Sequence, residues 1–193
     1  MIGYYKDNPY FWEKKLKMEI PEGIFHTDRQ YDTGGEVLIM DGVDYSKPDT
    51  VDILHIADSF ARLGCKVLIP ISIHFKSDLY PVIFGGLIGT RYERKCPDLV
   101  IDGEYFEYES YVRPWNKRKL SNMLTDGLRQ SSRLILDNRD GTSVRQILRA
   151  VHARLNVNAK IDEVWIYDGD GVVDIYPYKN TGVPEGPLQG GAP

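Results

Sequence analysis

Cysteine is scarce in this sequence: Cys65 and Cys96 are the two cysteines in 193 residues. A chain with so few thiols is not a disulfide scaffold, and we expect both to be reduced and partly buried. The four histidines do not cluster with the cysteines, which excludes the usual zinc spacings. No apolar run approaches the ~20 residues needed to cross a bilayer, and the N-terminus lacks the apolar core of a signal peptide. We therefore expect a cytoplasmic protein with no membrane partner.

A strong net charge is also lacking, since the formal charge is −4 at pH 7. The charge is unevenly distributed, however. The stretch from Arg113 to Arg154 carries ten Lys or Arg and three acids, or +7, which leaves −11 for the remainder. This asymmetry is compatible with an anionic partner and equally with solvated helix faces.

The chain divides into three regions by composition. Residues 1–33 are aromatic, charged and turn-rich, and we predict an irregular or partly helical arm there. Residues 34–178 alternate strand and helix signals and form the predicted domain. Residues 179–193 are rich in Gly and Pro and are predicted to be a disordered tail.

Hydrophobic periodicity predicts the elements of the domain. The predicted strands are Glu36–Met40, Cys65–Ile73, Arg133–Asp137, Val164–Tyr167 and Val172–Tyr176. Three helices are predicted. The first is capped by Asp49 or Thr50 and ends near Leu63, and the second covers residues 120–131. The third is capped by Thr142 or Ser143 and ends at Leu155. Residues 76–95 are broken by Pro81 and Gly85-Gly86 and predict a packed loop or a short helix. This order of elements is typical of an α/β protein with a central mixed β-sheet flanked by helices.

The strongest local signal is a β-hairpin with Asp102-Gly103 at its turn. A two-residue turn there pairs residues whose numbers add to 205, so Asp98 lies opposite Glu107. Directly opposed residues share one face of the sheet. Period two adds Glu109 to that face, whereas Leu99, Ile101, Phe106 and Tyr108 belong to the other, core-facing side.

Asp98, Glu107 and Glu109 are thus predicted to line one surface within a few ångströms. Opposed like charges destabilise a strand pair, and a divalent cation or a shared proton relieves that cost. Mg²⁺ suits such a site, because it prefers oxygen ligands and often uses one or two carboxylates plus phosphate oxygens. The competing interpretation is a charged, soluble hairpin without a ligand.

The same residues resemble a known nuclease core. Pro97-Asp98, followed by Glu107-Tyr108-Glu109 at the end of the second strand, resembles the PD-(D/E)XK (restriction-endonuclease-like) motif. Over residues 34–175 the chain resembles, more closely, the C-terminal tRNase toxin domains of CdiA-type contact-dependent growth inhibition proteins. Four short stretches carry this resemblance: 34–39, 57–67, 97–107 and 128–131.

The resemblance implies an activity, a cofactor and site residues. The implied activity is metal-dependent cleavage of RNA, plausibly tRNA, and an immunity protein is an implied partner. Asp98 and Glu107 would hold Mg²⁺ or Mn²⁺, with the carbonyl of Tyr108 as a third ligand. Asp58 on the first helix, with Asp52 as a second choice, would join the site, and Gln130 would sit near the scissile phosphate.

The sequence departs from the family pattern at Glu109, which stands where the family has its lysine. Three explanations stay open. A lysine arrives from elsewhere, with Lys95, Lys117 and Lys119 nearest in sequence; Glu109 binds a second metal; or catalysis is lost. The second hypothesis is therefore a catalytically degenerate module of the same fold that binds nucleic acid or a protein partner.

Further candidates for substrate binding follow from charge and aromatic content. Cations neutralise phosphates and an exposed tryptophan can stack on a base, so the segment with Arg113, Trp115, Lys117 and Lys119 is a predicted substrate surface. Lys95 leads into the hairpin and is included. His74 is added because it ends a predicted strand, where sites often gather.

Overall fold

A computed structural model of the protein describes residues 23–110, 115–155, 160–169 and 172–176. The predicted tail at 179–193, the first 22 residues of the predicted arm, and Arg113 lie outside these ranges. Within the described ranges, no helix has both the length and the apolar character needed to cross a membrane.

In the described part of the chain, eight strands form a mixed β-sheet whose spatial order follows the sequence. Pairing is parallel for β2–β3, β5–β6 and β6–β7 and antiparallel for the other neighbours. The strands are β1 Phe25–Gln30, β2 Glu36–Met40, β3 Lys66–Ile69, β4 Leu99–Ile101, β5 Glu104–Ser110, β6 Arg133–Asp137, β7 Glu163–Tyr167 and β8 Val172–Tyr176.

Helices cover both faces of this sheet. The described helices are α1 Pro48–Arg62, α2 Leu79–Phe84, α3 Lys117–Gly127 and α4 Val144–Leu155, and a 3-10 turn, Gly85–Leu87, follows α2. Helix α1 packs on one face, where its apolar stripe joins residues of β2 to β7 in the largest core cluster. Helices α3 and α4 pack on the opposite face over β6 and β7. The predicted class, an α/β fold with a flanked mixed sheet, is confirmed; the PD-(D/E)XK core remains an expectation.

The hairpin has the predicted register. Leu99 pairs with Phe106, Val100 with Tyr105 and Ile101 with Glu104. Asp102 and Gly103 both have positive φ, +48° and +86°, as a turn of type I′ requires, and this backbone matches the twist of the two strands. The Asp102 carboxylate also accepts the Lys66 amide at 2.9 Å, which ties the turn to β3.

The structure differs from the sequence prediction at the N-terminal arm, where Phe25–Gln30 forms β1. This strand lies at the edge of the sheet, and all but its first residue are exposed. Backbone hydrogen bonds to β2, and not burial of side chains, make this segment a strand. Its sequence therefore contains no hydrophobic pattern that would predict a strand.

Two element ends also differ. Helix α1 begins at Pro48 with Lys47 as an N-cap that makes no side-chain hydrogen bond, so the predicted capping by Asp49 or Thr50 is wrong. The Thr50 hydroxyl instead donates to the Asp44 carbonyl at 2.9 Å. Strand β3 ends at Ile69, because Pro70 has no N–H to continue the ladder.

Candidate carboxylate site

Asp98, Glu107 and Glu109 lie on the sheet face opposite α1. Phe106 and Tyr108 point into the α1 core, so their neighbours Glu107 and Glu109 project from the other face. On that face, Tyr105 packs against the α2 cluster. Glu109 approaches α3, since a Cβ built on Gly127 would lie 3.0 Å from Glu109 Cγ. Glu107 and Glu109 therefore occupy the stretch of β5 between two covering segments, and Asp98 directly precedes β4.

Backbone amides hydrogen-bond both carboxylates of the pair Asp98 and Glu107. The Tyr108 amide donates to Asp98 Oδ2 at 3.1 Å, and the Asp98 amide hydrogen-bonds the Glu107 carboxylate. Glu107 Oε2 is buried and has no protein hydrogen-bond partner. A buried carboxylate oxygen without a donor is costly, so this atom has unfilled capacity to accept a proton or a cation.

Burial and mutual repulsion favour the protonated forms of these acids. Burial raises the pKa of Asp98, and the hydrogen bond from the Tyr108 amide offsets this only in part. Burial raises the pKa of Glu107 too, and the charges of Asp98 and Glu109 add to the effect. Burial raises the pKa of Glu109 to about 7, with repulsion from Asp126 and Asp98. Perturbed carboxylates of this kind concentrate at functional sites.

The site has two close carboxylates rather than three. Across the described ranges, no three His, Cys, Asp or Glu side chains are gathered as a metal-binding group, so Glu109 does not complete a triad with Asp98 and Glu107. Glu109 instead packs along α3, with Oε1 3.1 Å from the Cβ position at Gly127.

A hard divalent cation nevertheless fits the donors that are present. The unpartnered Glu107 Oε2 and the neighbouring Asp98 carboxylate supply anionic oxygens, and Mg²⁺ commonly takes one or two carboxylates plus water and phosphate oxygens. Tyr108 could contribute only its carbonyl, because its hydroxyl donates to Asp137 Oδ2 at 2.7 Å in the core of the other face.

Asp58 and Asp52 are not brought to this site. Both are on α1, which covers the opposite face of the sheet. Asp58 accepts hydrogen bonds from Arg29, Tyr31 and Arg62. Burial opposes ionisation of Asp58, but the hydrogen bonds from Arg62 and Arg29 lower its pKa overall. Asp52 forms an ion pair with Arg139 at 2.7 Å. These carboxylates are held by cations within the fold.

Three other predicted residues lie around the hairpin. Gln130 is in the turn after α3, next to Ser131, whose hydroxyl donates to the Tyr105 carbonyl at 2.7 Å; this places Gln130 beside the beginning of β5. The positive charge of Lys95 opposes the rise in the pKa of Glu107 that burial and the neighbouring acids cause. Lys95 is therefore close to the site. His74 is exposed and follows β3 by five residues.

The predicted basic surface is only partly available. Trp115 is 4% exposed and belongs to the α3–α4 core, so its ring offers no face to a base. Lys117 and Lys119 are exposed in the first turn of α3, where the Asn116 side chain caps the Lys119 amide at 2.9 Å. This turn follows β5, the strand that carries Glu107 and Glu109.

The structure draws attention to Phe75, which the sequence analysis did not single out. Phe75 is 37% exposed and lies between His74 and Lys76 in the segment that precedes α2. The sequence signal for Phe75 is an aromatic residue between two basic residues, outside any predicted helix or strand. A single triplet of this kind is too common to indicate a site.

Comparisons with known proteins give one result. No protein-family model matches the chain, and no curated protein sequence matches it. Its structure is similar to a chain of the CdiA-CT/CdiI toxin and immunity complex from Burkholderia pseudomallei, with a TM-score of 0.42 and 16% sequence identity. The match covers 70% of this chain and 89% of that chain. The likeness is weak. It decides neither the fold family nor an activity.

Proposed function

We propose that this protein is a divalent-cation-dependent phosphodiesterase that acts on RNA, with tRNA as the first substrate to test. The observation that carries the proposal is the pair Asp98 and Glu107, two adjoining, half-buried acids on neighbouring strands, one with a buried, unpartnered oxygen. Holding two such carboxylates side by side is unfavourable unless a proton or a cation joins them.

In this proposal Asp98 and Glu107 hold Mg²⁺ or Mn²⁺, with the Tyr108 carbonyl beside them. The ion would supply a nucleophilic water and stabilise the charge that develops on the phosphate. The Tyr108 amide orients Asp98 through its 3.1 Å hydrogen bond, and Gln130 would help to position the phosphate.

Among the lysines that could replace the one missing at position 109, Lys95 has the best support. Its charge acts on Glu107, and it is three residues before Asp98. Lys117 and Lys119 begin α3, after the end of β5. We therefore propose that Lys95 supplies the positive charge near the scissile phosphate.

The choice of RNA is supported by the charge of the helices on the same face. On helices α3 and α4, the exposed side chains of Lys117, Arg118, Arg145 and Arg149 have no carboxylate partner among the described residues. By contrast, Arg29, Arg62, Arg133 and Arg139 all have acidic partners. Basic side chains without acidic partners on the α3–α4 layer can neutralise the phosphates of a nucleic-acid backbone. That tRNA is the substrate, and that an immunity protein binds the chain, follow from the sequence resemblance and stay predictions.

The proposal is tested by incubating total tRNA with the wild type, Asp98→Asn and Glu107→Gln in Mg²⁺, Mn²⁺ or EDTA. We expect cleavage by the wild type only with a divalent ion. Each variant should cleave at least about a hundredfold more slowly, because it loses a ligand that supports several kcal/mol of transition-state stabilisation. Gel electrophoresis of the RNA is the measurement.

The matched control is Asp32→Asn, which removes an exposed carboxylate of β1–β2 and should cleave as the wild type does. If the wild type leaves tRNA intact at high protein concentration in both ions, the enzymatic proposal fails. A gel shift with intact tRNA would then test the second candidate, a binding module, which Glu109 in place of lysine favours.

A further inference from the structure

Phe75 lies at the centre of an exposed group of basic side chains. The guanidinium carbon of Arg94 is 4.6 Å from its ring centroid, and Lys76 Nζ is 5.8 Å away. The His74 ring centroid is 4.8 Å from that of Phe75. We call these four residues, His74, Phe75, Lys76 and Arg94, the aromatic–cation platform.

This platform is fixed next to the carboxylate site. The Ile73 amide donates to Cys96 Sγ at 3.4 Å, and the thiol donates back to the Ile73 carbonyl at 3.3 Å. The Tyr80 hydroxyl holds the Lys95 carbonyl at 2.9 Å. Residues 74–76 therefore run beside residues 94–96, and the second of these segments continues directly into Asp98.

Charge interactions indicate the same proximity. The Glu107 carboxylate raises the pKa of the Cys96 thiol, after burial, which is the larger cause. Lys95, between Arg94 and Cys96, acts on Glu107 in return. The platform is thus joined to the carboxylates through one short segment rather than lying on a separate surface.

Arg94 has a backbone φ of +72°, which is uncommon and unfavourable for a residue with a side chain. Such conformations persist where the surrounding structure requires them, and they concentrate at ligand-binding sites. Here the hydrogen bond from Tyr80 to Lys95 and the bonds between Cys96 and Ile73 hold the two residues that directly follow Arg94.

We propose that the aromatic–cation platform binds an unpaired nucleotide of an RNA substrate, with a base stacked on Phe75 and the adjoining phosphates held by Lys76 and Arg94. This inference rests on the proposed function, because it places a single-stranded segment beside Asp98 and Glu107. A cation–π contact at an exposed site is weaker than base–aromatic stacking. A base can therefore replace Arg94 on the ring and leave the guanidinium for a phosphate.

The platform selects unpaired over paired RNA. Bases in an A-form duplex are stacked on each other and their faces are not available to a side chain, whereas bases in loops and ends can be splayed onto aromatic rings. The buried Trp115 cannot take this role, since its side chain is enclosed in the α3–α4 core.

The test measures binding in EDTA, where cleavage does not interfere. Fluorescence anisotropy of a labelled single-stranded RNA decamer, and of a blunt duplex of the same sequence, is recorded with the full chain. Phe75→Ala should weaken binding of the single strand by about tenfold or more, the loss of one stacked base, and leave duplex binding unchanged. Phe75→Trp should keep the single-strand affinity, because a larger ring still stacks.

Ile88→Ala is the matched control, since Ile88 is an apolar residue of the same region and is 50% exposed; it should bind as the wild type does. The proposal is overturned if Phe75→Ala and Ile88→Ala bind the single strand equally well, or if Phe75→Ala weakens single-strand and duplex binding alike. It is also overturned if the wild type binds neither RNA.

Failure of the platform is distinguishable from failure of the proposed function. Cleavage of tRNA that depends on Asp98 but not on Phe75 would remove the platform and leave the enzyme. Binding of single strands that depends on Phe75, without cleavage by the wild type, would remove the enzyme and leave the platform.

Discussion

In EDTA at pH 8, a Glu107→Gln variant is expected to be more stable than the wild type by about 2 kcal/mol. Burial raises the pKa of Glu107, so folding at pH 8 must either protonate this group or leave it charged beside Asp98, whereas the amide is neutral at every pH. The amide can also donate to the Asp98 carboxylate, which the native side chain cannot do when ionised. For a chain of this length the gain corresponds to roughly 4–8 °C in Tm. Thermal unfolding followed by circular dichroism measures it.

The pH dependence has a definite sign. Burial raises the pKa of Asp98, Glu107 and Glu109 in the folded chain, so the folded state binds more protons than the unfolded state. Their stabilising effect is complete below the unfolded pKa values and is lost as pH rises through the folded ones. Stability in EDTA should therefore fall from about pH 4, near the ordinary carboxyl values, through pH 7, where Glu109 titrates. The decline should continue above pH 7, because the pKa of Glu107 is raised further than that of Glu109.

A bound divalent ion should flatten this decline, because it stabilises the ionised pair and binds only the folded chain. At pH 8, Mg²⁺ or Mn²⁺ should raise the Tm of the wild type and leave that of Glu107→Gln nearly unchanged. Asp32→Asn, which removes an exposed acid, should show the wild-type pH profile. Equal Tm values for the wild type and Glu107→Gln from pH 5 to pH 8 would contradict the expectation that folding raises the pKa of Glu107 and so costs stability as the pH rises.

Replacing Gly35 with alanine is expected to lower the free energy of unfolding by at least about 4 kcal/mol, a loss as large as that of the most disruptive core substitutions. A Cβ at this position would lie 1.9 Å from the Ala61 carbonyl oxygen and 2.9 Å from that of Cys65. Both atoms belong to the backbone at the end of α1 and the turn that follows it, so no side-chain rotation relieves the overlap. Guanidinium unfolding, or failure to obtain folded protein, measures the effect.

Gly85→Ala is the control for this prediction. Gly85 has helical angles, φ −56° and ψ −35°, and no atom lies within 4 Å of an added Cβ. Alanine there should be neutral or stabilising by up to ~1 kcal/mol, because it restricts the unfolded chain. If the two alanine variants unfold at the same denaturant concentration, the close packing of β2 against the end of α1 is not as described.

The sequence predicts the hairpin well because the turn determines the pairing. Asp102-Gly103 permits one short turn, and a two-residue turn leaves a single register for Leu99 and Phe106. The side of the sheet that carries Asp98 and Glu107 follows from that register. Strand β6 is predicted with its observed bounds, since a short apolar run between two helical patterns leaves little choice.

Other features depend on contacts that no local pattern contains. Strand β1 is polar and exposed, so only its partner β2 makes it a strand. Asp58 has the sequence position of a site residue, yet helix α1 packs on the opposite face and Arg29 and Arg62 hold its carboxylate. Trp115 lies just before the basic run 117–119, but its ring fills the core beneath α3. The outcomes for Asp58 and Trp115 are decided by which face of the sheet a helix covers.

The proposed function requires that Asp98 and Glu107 together bind a divalent cation. The most direct measurement is titration of the purified full chain with Mn²⁺ at pH 8, with free Mn²⁺ followed by electron paramagnetic resonance. We expect one saturable site per chain, with an affinity that is at least about tenfold weaker in Asp98→Asn and in Glu107→Gln and unchanged in Asp32→Asn. Absence of a saturable site, or equal affinity in all four proteins, would contradict it.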